Sequence, residues 1–567
     1  MMLVFPIIII LFLQLWHLQA ETTMRPNVVF IFTDDQDAKL NSLDYMPVVQ
    51  KQMIEQGTLF ENHYCTVSLC CPSRVSLWTG LTAHNTNVTN VMPPYGGYPK
   101  FHEERLNESW VPLWLQQQGY QTYYVGKLMN HQNILNYDKP FISGFNGSDF
   151  LVEPNAYNFM FPYFQRNQDP PVKHENEYST DLVHQKSIGF LNEAMENPDS
   201  PFFLTIAPIA PHFELTIDIN VGGDPPIGAR VTPPVPAERH THLFSNVTVP
   251  RTPNFNPDIP SGVDWIAEQP MLSAENITYN DEWYRRRLQS LQAVDEMVED
   301  VIAKLEEHGL LDNTYIFYSS DNGYHIGHHR LPPGKGCGFE EDINVPLVVR
   351  GPNVPKNRTV SNIPTSHTDL APTWWKLLGI PLREEFDGSA IPLTNQEIDK
   401  VEFEGTKEHL QVEFWSTQHP GEYANEREVN NTYKGLRILG ADYGFYYSVW
   451  CSGSHELYDM KADPYQMQNL FPVGFNQTVS LNQDMSLGNC SYPLSQLATR
   501  LDALLLVLKT CKGAVCYDPW STLLPNTGVS TLVAAMDQQF DEFFAGIPRV
   551  EYDHCEAGYL LEAEGPL

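Results

Sequence analysis

In Asn27-Val28-Val29-Phe30-Ile31-Phe32-Thr33-Asp34-Asp35, six consecutive β-branched or aromatic residues run into two adjacent carboxylates. An unbroken apolar run of this kind predicts a strand buried on both faces, as in a parallel sheet covered by helices. Three more runs have the same form. Thr122-Tyr123-Tyr124-Val125 leads into Gly126-Lys127, Phe202-Phe203-Leu204-Thr205-Ile206 towards His212, and Tyr315-Ile316-Phe317-Tyr318 into Asp321-Asn322. In open α/β sheets ligands bind beyond the carboxyl ends of the strands, so these four ends are expected to converge on one crevice. Polar residues follow many strands simply as loop residues; four such ends together favour a site.

Between these runs the apolar spacing turns helical. From Glu282 to Glu307, Leu288, Leu291, Val294, Val298, Val301 and Leu305 mark one helix face, and Gly309 stops it beside the strand carrying Asp321. Leu370 to Leu378 forms another helix ending at Gly379, after the strand Leu347-Val348-Val349. The segment after His212, with Gly223-Asp224-Pro225-Pro226 and Pro233-Pro234-Val235-Pro236, reads as a long ordered surface excursion that can wall the site. No internal repeat is present. The fold expected is α/β: a large, mostly parallel mixed sheet flanked by helices over residues 21–395, then a smaller α+β domain over 396–567 with an amphipathic stretch at 494–508.

A chain of 567 residues with 42% hydrophobic content can fill such a core, which excludes a disordered chain. Met1 to Ala20 is uncharged, apolar from Leu3 to Leu15, and ends in Leu18-Gln19-Ala20, so it reads as a signal peptide cleaved after Ala20. No later segment is apolar enough to span a bilayer. Asn-x-Ser/Thr sites at Asn87, Asn107, Asn146, Asn246, Asn276, Asn357, Asn430, Asn476 and Asn489 suit passage through the secretory pathway as glycosylated surface loops. A formal charge of -34 argues against nucleic acid and acidic membranes as partners. The nine cysteines are Cys65, Cys70, Cys71, Cys337, Cys451, Cys490, Cys511, Cys516 and Cys555, an odd number for an oxidising compartment, and Cys511 with Cys516 is expected to close a small loop.

Asp34, Asp35, Asp321 and Asn322 offer only oxygen ligands, which suits a hard cation, Ca2+ or Mg2+, rather than zinc. Such pairs alone are ordinary turn residues; here two matched pairs follow two buried strands. Cys70-Cys71-Pro72-Ser73-Arg74-Val75-Ser76-Leu77-Trp78-Thr79-Gly80 reads as a short helix with Pro72 in its first turn and Gly80 at its stop. Cys70 then sits at the helix N-terminus, where backbone N–H groups favour an anion, with the Arg74 charge one turn along. A Cys-Cys pair in an exported protein is ordinarily disulfide material, so position alone does not settle its role.

Cys70-x-Pro72-Ser73-Arg74 followed by Thr79-Gly80 resembles the sulfatase signature. The resemblance extends along the chain. Asn27 to Asp35 looks like that family's opening strand and first metal pair, and Ser320-Asp321-Asn322-Gly323-Tyr324-His325 like its second. Lys335 before Phe339-Glu340 and Val345-Pro346-Leu347-Val348-Val349-Arg350 looks like the sulfate-binding lysine. Gly126-Lys127 resembles the segment with another lysine, and Pro208 to His212 the one with a substrate-binding histidine. Glu456-Leu457-Tyr458-Asp459, Ala462-Asp463-Pro464 and Asn469-Leu470 match the second-domain signature. One departure stands out: many sulfatases have histidine two residues after the lysine of the Gly-Lys segment, and here Met129 is followed by Asn130 and His131. The pattern is most similar to fungal-type arylsulfatases and N-acetylglucosamine-6-sulfatases.

The resemblance implies an alkaline-phosphatase-like fold and hydrolysis of sulfate esters, aryl sulfates first, with sulfated amino sugars or a phosphoester as alternatives. It implies that Cys70 becomes formylglycine through a formylglycine-generating enzyme in the endoplasmic reticulum, leaving eight cysteines to pair. The metal ligands would be Asp34, Asp35, residue 70, Asp321 and Asn322, holding Ca2+ or Mg2+. Arg74, Lys127, His131, His212 and Lys335 would act in catalysis, and Lys127, His212, His325 and Lys335 would bind substrate. His328 and His329 are expected in solvent. The expected location is secreted or lysosomal/vacuolar.

Overall fold

The apolar run at 28–32 is a strand, β1 (Asn27–Thr33), with every residue buried. The computed structural model describes residues 25–218, 228–405, 407–417, 421, 429–472, 477–481 and 491–567. The leader expected at 1–20, the Pro225-Pro226 part of the excursion, Cys490 and the sites at Asn476 and Asn489 lie outside them. β1 belongs to a ten-stranded sheet. Its other strands are β2 (Thr58–Phe60), β3 (Gln121–Lys127), β4 (Gly147–Val152), β5 (Tyr163–Arg166), β6 (Val172–Lys173), β7 (Phe202–Ala207), β8 (Thr314–Ser320), β9 (Leu347–Arg350) and β10 (Arg358–Val360). The order across the sheet is β10-β2-β9-β8-β1-β7-β3-β4-β5-β6. β8, β1, β7, β3 and β4 run parallel, while β9 and β5 flank them antiparallel. All four strands anticipated from their apolar runs therefore end on one edge of the sheet.

Alternation along β1 sets its two interfaces. Val28, Phe30 and Phe32 pack with Val75 and Trp78 of α1 (Cys70–Thr79) and Trp374 of α4 (Leu370–Leu377). Val29 and Ile31 pack with Phe190 of α2 (Ser179–Met195) and with Leu291, Val294, Val298 and Val301 of α3 (Ala274–Glu307). Each fully buried side chain of this size contributes about 1.5–3 kcal/mol. α3 starts earlier than the apolar stripe indicates, because Ser273 and Asn276 form a reciprocal capping box.

After α5 (Asn395–Glu404), whose Ile398 still packs in the first core, a four-stranded antiparallel sheet begins. It contains β11 (His409–Phe414), β12 (Tyr433–Leu439), β13 (Gly444–Trp450) and β14 (His455–Asp459) in that order. Leu497, Leu501, Leu504 and Leu508 of α6 (Leu494–Leu508) pack with Leu436, Ile438, Phe445 and Val449.

Cys511 and Cys516 are bonded as expected, and Cys451 bonds Cys555. The expectation that eight cysteines pair fails: Cys65, Cys71 and Cys337 are free buried thiols, and Cys71 packs from α1 into a different cluster from Cys65 and Cys337. Asn107 does not stand free on an open loop. It is buried, donating to the Phe141 carbonyl and accepting from the Ser143 amide. Among the described residues, no helix is long and apolar enough to cross a membrane.

Candidate active site

Leu69 is extended, Ser73 N–H closes the first helical turn on the Leu69 carbonyl, and α1 begins at Cys70. Gly80 ends it in the left-handed region at φ 71°. All ten residues of α1 are buried, so its N-terminus is driven into the crevice at the sheet edge. β3 delivers Lys127 there through Gly126, at φ 107°, where a Cβ would lie 2.0 Å from the Ala207 carbonyl oxygen. Only glycine allows β3 and β7 to approach this closely.

Around Cys70 the strand ends converge. Its Sγ is 3.5 Å from Asp34 Oδ1 and 3.9 Å from Asp35 Oδ1, and Lys335 Nζ lies 2.8 Å from it. Lys127 Nζ is 2.5 Å from Asp34 Oδ2. Arg74 Nε donates to Asp321 Oδ2 at 2.8 Å, and its Nη1 to the Lys127 carbonyl at 2.6 Å. Asp321 Oδ1 accepts from the amides of Asp35, at 3.0 Å, and Asn322, at 2.9 Å. Asp35 has φ 64°, which turns it off the strand so that it shares the crevice with Asp34. Arg287 holds that turn by donating to the Asp35 carbonyl at 2.5 Å and the Pro211 carbonyl at 3.2 Å.

Arg74, Lys127 and Lys335 balance Asp34, Asp35 and Asp321, and five of the six are at most 1% exposed. Lys335 is the sixth, with its side chain 10% exposed. Unpaired, such charges would be prohibitively costly to bury. Burial alone would raise the Asp34 carboxyl, but Lys127, His212 and Arg74 hold it well below the usual carboxylate range. Lys335 does the same for Asp35 against its burial. Burial dominates at Cys70, pushing the thiol well up, so an unmodified cysteine here is protonated and a poor nucleophile.

Two carboxylates, a thiol and an imidazole lie close enough to share one cation, while Asp321 is taken up by Arg74 and backbone amides. Asp34, Asp35, Cys70 and His212 each place a ligand atom within 4.8 Å of the others. Lys335 already sets its ammonium against Asp35, Cys70 and, at 3.4 Å, Asn322 Oδ1, so these atoms converge on positive charge. His212 Nδ1 is assigned as donor to the Phe213 carbonyl at 2.8 Å. Its Nε2 then faces Asp35 Oδ2 at 3.6 Å, and that oxygen is buried with no hydrogen-bond partner. Two facing acceptors leave a gap suited to a cation or a proton. Burial outweighs the neighbouring carboxylates and pulls His212 down to about 4.

Of the residues anticipated, Asp34, Asp35, Cys70, Arg74, Lys127, His212, Asp321, Asn322 and Lys335 are brought together. His325 lies behind the Lys335 loop, with Nδ1 2.7 Å from Asp342 Oδ1 and its backbone bridged to Gly334. His131 is turned towards Glu153, whose carboxylate accepts its backbone N–H at 3.0 Å, and no hydrogen bond or ion pair joins it to Cys70. His328 and His329 are not in solvent: both are buried, because their loop folds against the excursion. His329 stacks on Phe339 at 3.6 Å and meets Ser261 and Asn254. Tyr157, which sequence reasoning missed, stacks on His212 at 4.3 Å and lies under Lys127 Nζ at 4.6 Å. It follows β4, a fifth parallel strand ending on this edge, so the same rule of strand ends could have found it.

The profile of the sulfatase family matches residues 26–380, and the chain belongs to that family. An N-sulphoglucosamine sulphohydrolase C-terminal profile matches residues 329–487. Relatives include an arylsulfatase of Volvox carteri, 35% identical over 94% of this chain and 82% of its own length. Sulfatase ppz1 of Metarhizium majus is 46% identical over 70% of this chain and 80% of its own. Human N-acetylglucosamine-6-sulfatase is 30% identical over 88% and 87%. Among solved structures, BT4656 in complex with its substrate D-glucosamine-2-N,6-O-disulfate aligns with a TM-score of 0.59, at 23% identity over 79% of this chain and 94% of that one. The phosphonate monoester hydrolase SpPMH of Silicibacter pomeroyi aligns with a TM-score of 0.55, at 17% identity over 79% and 92%. Both structural likenesses speak to the fold.

Proposed function

We propose that this chain hydrolyses sulfate esters, aryl sulfates first, with residue 70 acting as a formylglycine made from Cys70 in the secretory pathway. The observation that carries this reading is the convergence of three cationic side chains and three carboxylates on Cys70 at a buried helix N-terminus. The hydrated aldehyde would supply a nucleophilic hydroxyl and a second one whose return to carbonyl expels sulfate. Asp34, Asp35, Asp321 and Asn322, with residue 70, would hold a Ca2+ or Mg2+ ion, which supplies positive charge to acidify that hydroxyl. The six balanced side-chain charges make such a site net cationic once loaded, which favours an anionic ester.

This chain's residues supply the remainder. Arg74 is locked to Asp321 and orients the helix start towards the reacting atom. Lys127 and Lys335 neutralise charge on the transferring sulfuryl oxygens. His212 protonates the leaving oxygen from Nε2, since Nδ1 is occupied by the Phe213 carbonyl. An anion arriving in the crevice raises the affinity of His212 for that proton. A sulfated amino sugar is a second reading, favoured by the match of residues 329–487 to a sulphoglucosamine sulphohydrolase profile. We place the enzyme in a secreted or lysosomal compartment.

The test is mass spectrometry of the Cys70 peptide from secreted protein, with a panel of 4-nitrophenyl sulfate, glucosamine 6-sulfate and 4-nitrophenyl phosphate. Formylglycine at position 70 and sulfate release are expected. A free or disulfide-bonded Cys70 overturns the reading, and faster phosphate release moves the chain to phosphoester chemistry.

A further inference from the structure

Met129 does not enter the crevice. Its side chain is buried in the core with Val75, Trp78 and Leu128. The space towards the nucleophile is bounded instead by Tyr157, which is 3% exposed. Its ring lies 4.3 Å from the His212 ring with planes 25° apart, and Lys127 Nζ stands 4.6 Å from its centroid. Tyr157 is itself pinned: Asn130 Nδ2 donates to its hydroxyl at 2.6 Å, and the Asn130 carbonyl accepts from Tyr98 N–H at 2.8 Å. A rigid aromatic ring thus touches two groups that the sulfatase reading gives to the transferring sulfuryl and the leaving oxygen. Tyr157 is buried yet belongs to none of the main hydrophobic clusters, and its ring meets the polar groups of the crevice instead.

We propose that Tyr157, through its ring, is the positioning residue that sets His212 and Lys127 relative to residue 70. Stacking fixes the plane of the imidazole, and hence the direction of Nε2. The ring face steadies the ammonium laterally while Asp34 holds it from the front. A flexible aliphatic side chain would do neither. The inference rests on the sulfatase reading above and adds the residue on which its acid and its lysine depend.

The experiment compares wild type, Tyr157→Leu and Tyr157→Phe as secreted full-length proteins. It measures kcat and KM on 4-nitrophenyl sulfate, thermal unfolding with and without inorganic sulfate, and formylglycine content. Tyr157→Leu is expected to lose about 10²-fold in kcat, the order of effect of a misplaced catalytic group. Its formylglycine content should be unchanged and its stabilisation by sulfate smaller. Tyr157→Phe keeps both ring contacts and should stay within about 3-fold of wild type. A folded Tyr157→Leu with wild-type kcat overturns the inference, as does a Tyr157→Phe that falls as far as Tyr157→Leu, since the hydroxyl and not the ring would then matter. An inactive wild type brings down the sulfatase reading and this inference with it. An active wild type with an equally active Tyr157→Leu brings down this inference alone.

Discussion

Asp34 and Asp35 beside Cys70 and Glu408 in the second domain are equally hidden from solvent and ionise in opposite senses. Asp34 and Asp35 have Lys127, Arg74 and Lys335 against them and stay charged despite burial. Glu408, just before β11, has only neutral donors: the Tyr443 hydroxyl, Trp520 Nε1 at 2.8 Å and the Leu532 amide at 2.7 Å. Burial pushes it up to about 7. Glu413, near the other end of the same strand, meets His84 at 2.9 Å and Lys434 at 3.2 Å, which overcome its burial and draw it down to about 2. Burial therefore does not decide the charge state; a cationic partner within reach does. The crevice is the place where three such partners coincide, which is why it can hold charge for chemistry.

The largest break in this contrast is Asp321→Ala. It should reduce aryl sulfate hydrolysis by about 10²–10³-fold or more and cost about 3 kcal/mol in urea unfolding, because the buried Arg74 loses its nearest carboxylate and keeps only Asp34 at 3.8 Å. Chelation should lower the melting temperature of the wild type and leave that of the variant unmoved; activity surviving both treatments would remove the metal assignment. Next is Glu413→Gln. A carboxyl held at about 2 instead of near 4.5 stabilises the fold by about 3 kcal/mol at neutral pH. That stability is fully present above pH 4.5 and is lost as pH falls through 2, so the variant should unfold earlier at pH 7, with the deficit shrinking in acid.

Glu408→Gln should act with the opposite sign. A carboxyl raised to about 7 favours the fold below its unfolded value near 4.5, and that advantage disappears as pH rises through 7. The glutamine variant should gain about 2–3 kcal/mol over wild type at pH 8 and little at pH 5, read from unfolding curves at both. Equal effects at the two pH values would show that Glu408 is ionised throughout. The smallest effect is Ser273→Ala, which removes the cap of α3 far from any buried charge and should cost about 1 kcal/mol at every pH.

Much of the crevice was legible before folding, because its residues sit next to strong periodic signals. Cys70 heads a helix bounded by Pro72 and Gly80, and the pairs Asp34-Asp35 and Asp321-Asn322 follow runs too apolar to be anything but buried strands. His328 and His329 misled because a polar loop carries no periodic sign of what will fold over it. Cys65, Cys71 and Cys337 misled because a parity argument counts thiols and takes no account of distance. Tyr157 lies in an irregular segment, and its importance is a ring contact with His212, far away in the chain.

The sequence by itself determined the buried strands, the helix that begins at Cys70, and the polar pairs at the strand ends, since local periodicity and side-chain chemistry dictate them. Only the tertiary structure decided which cysteines meet, which acids find a cation, and that Tyr157 braces His212 and Lys127. Those outcomes depend on ångström-scale distances between segments that chain order does not encode.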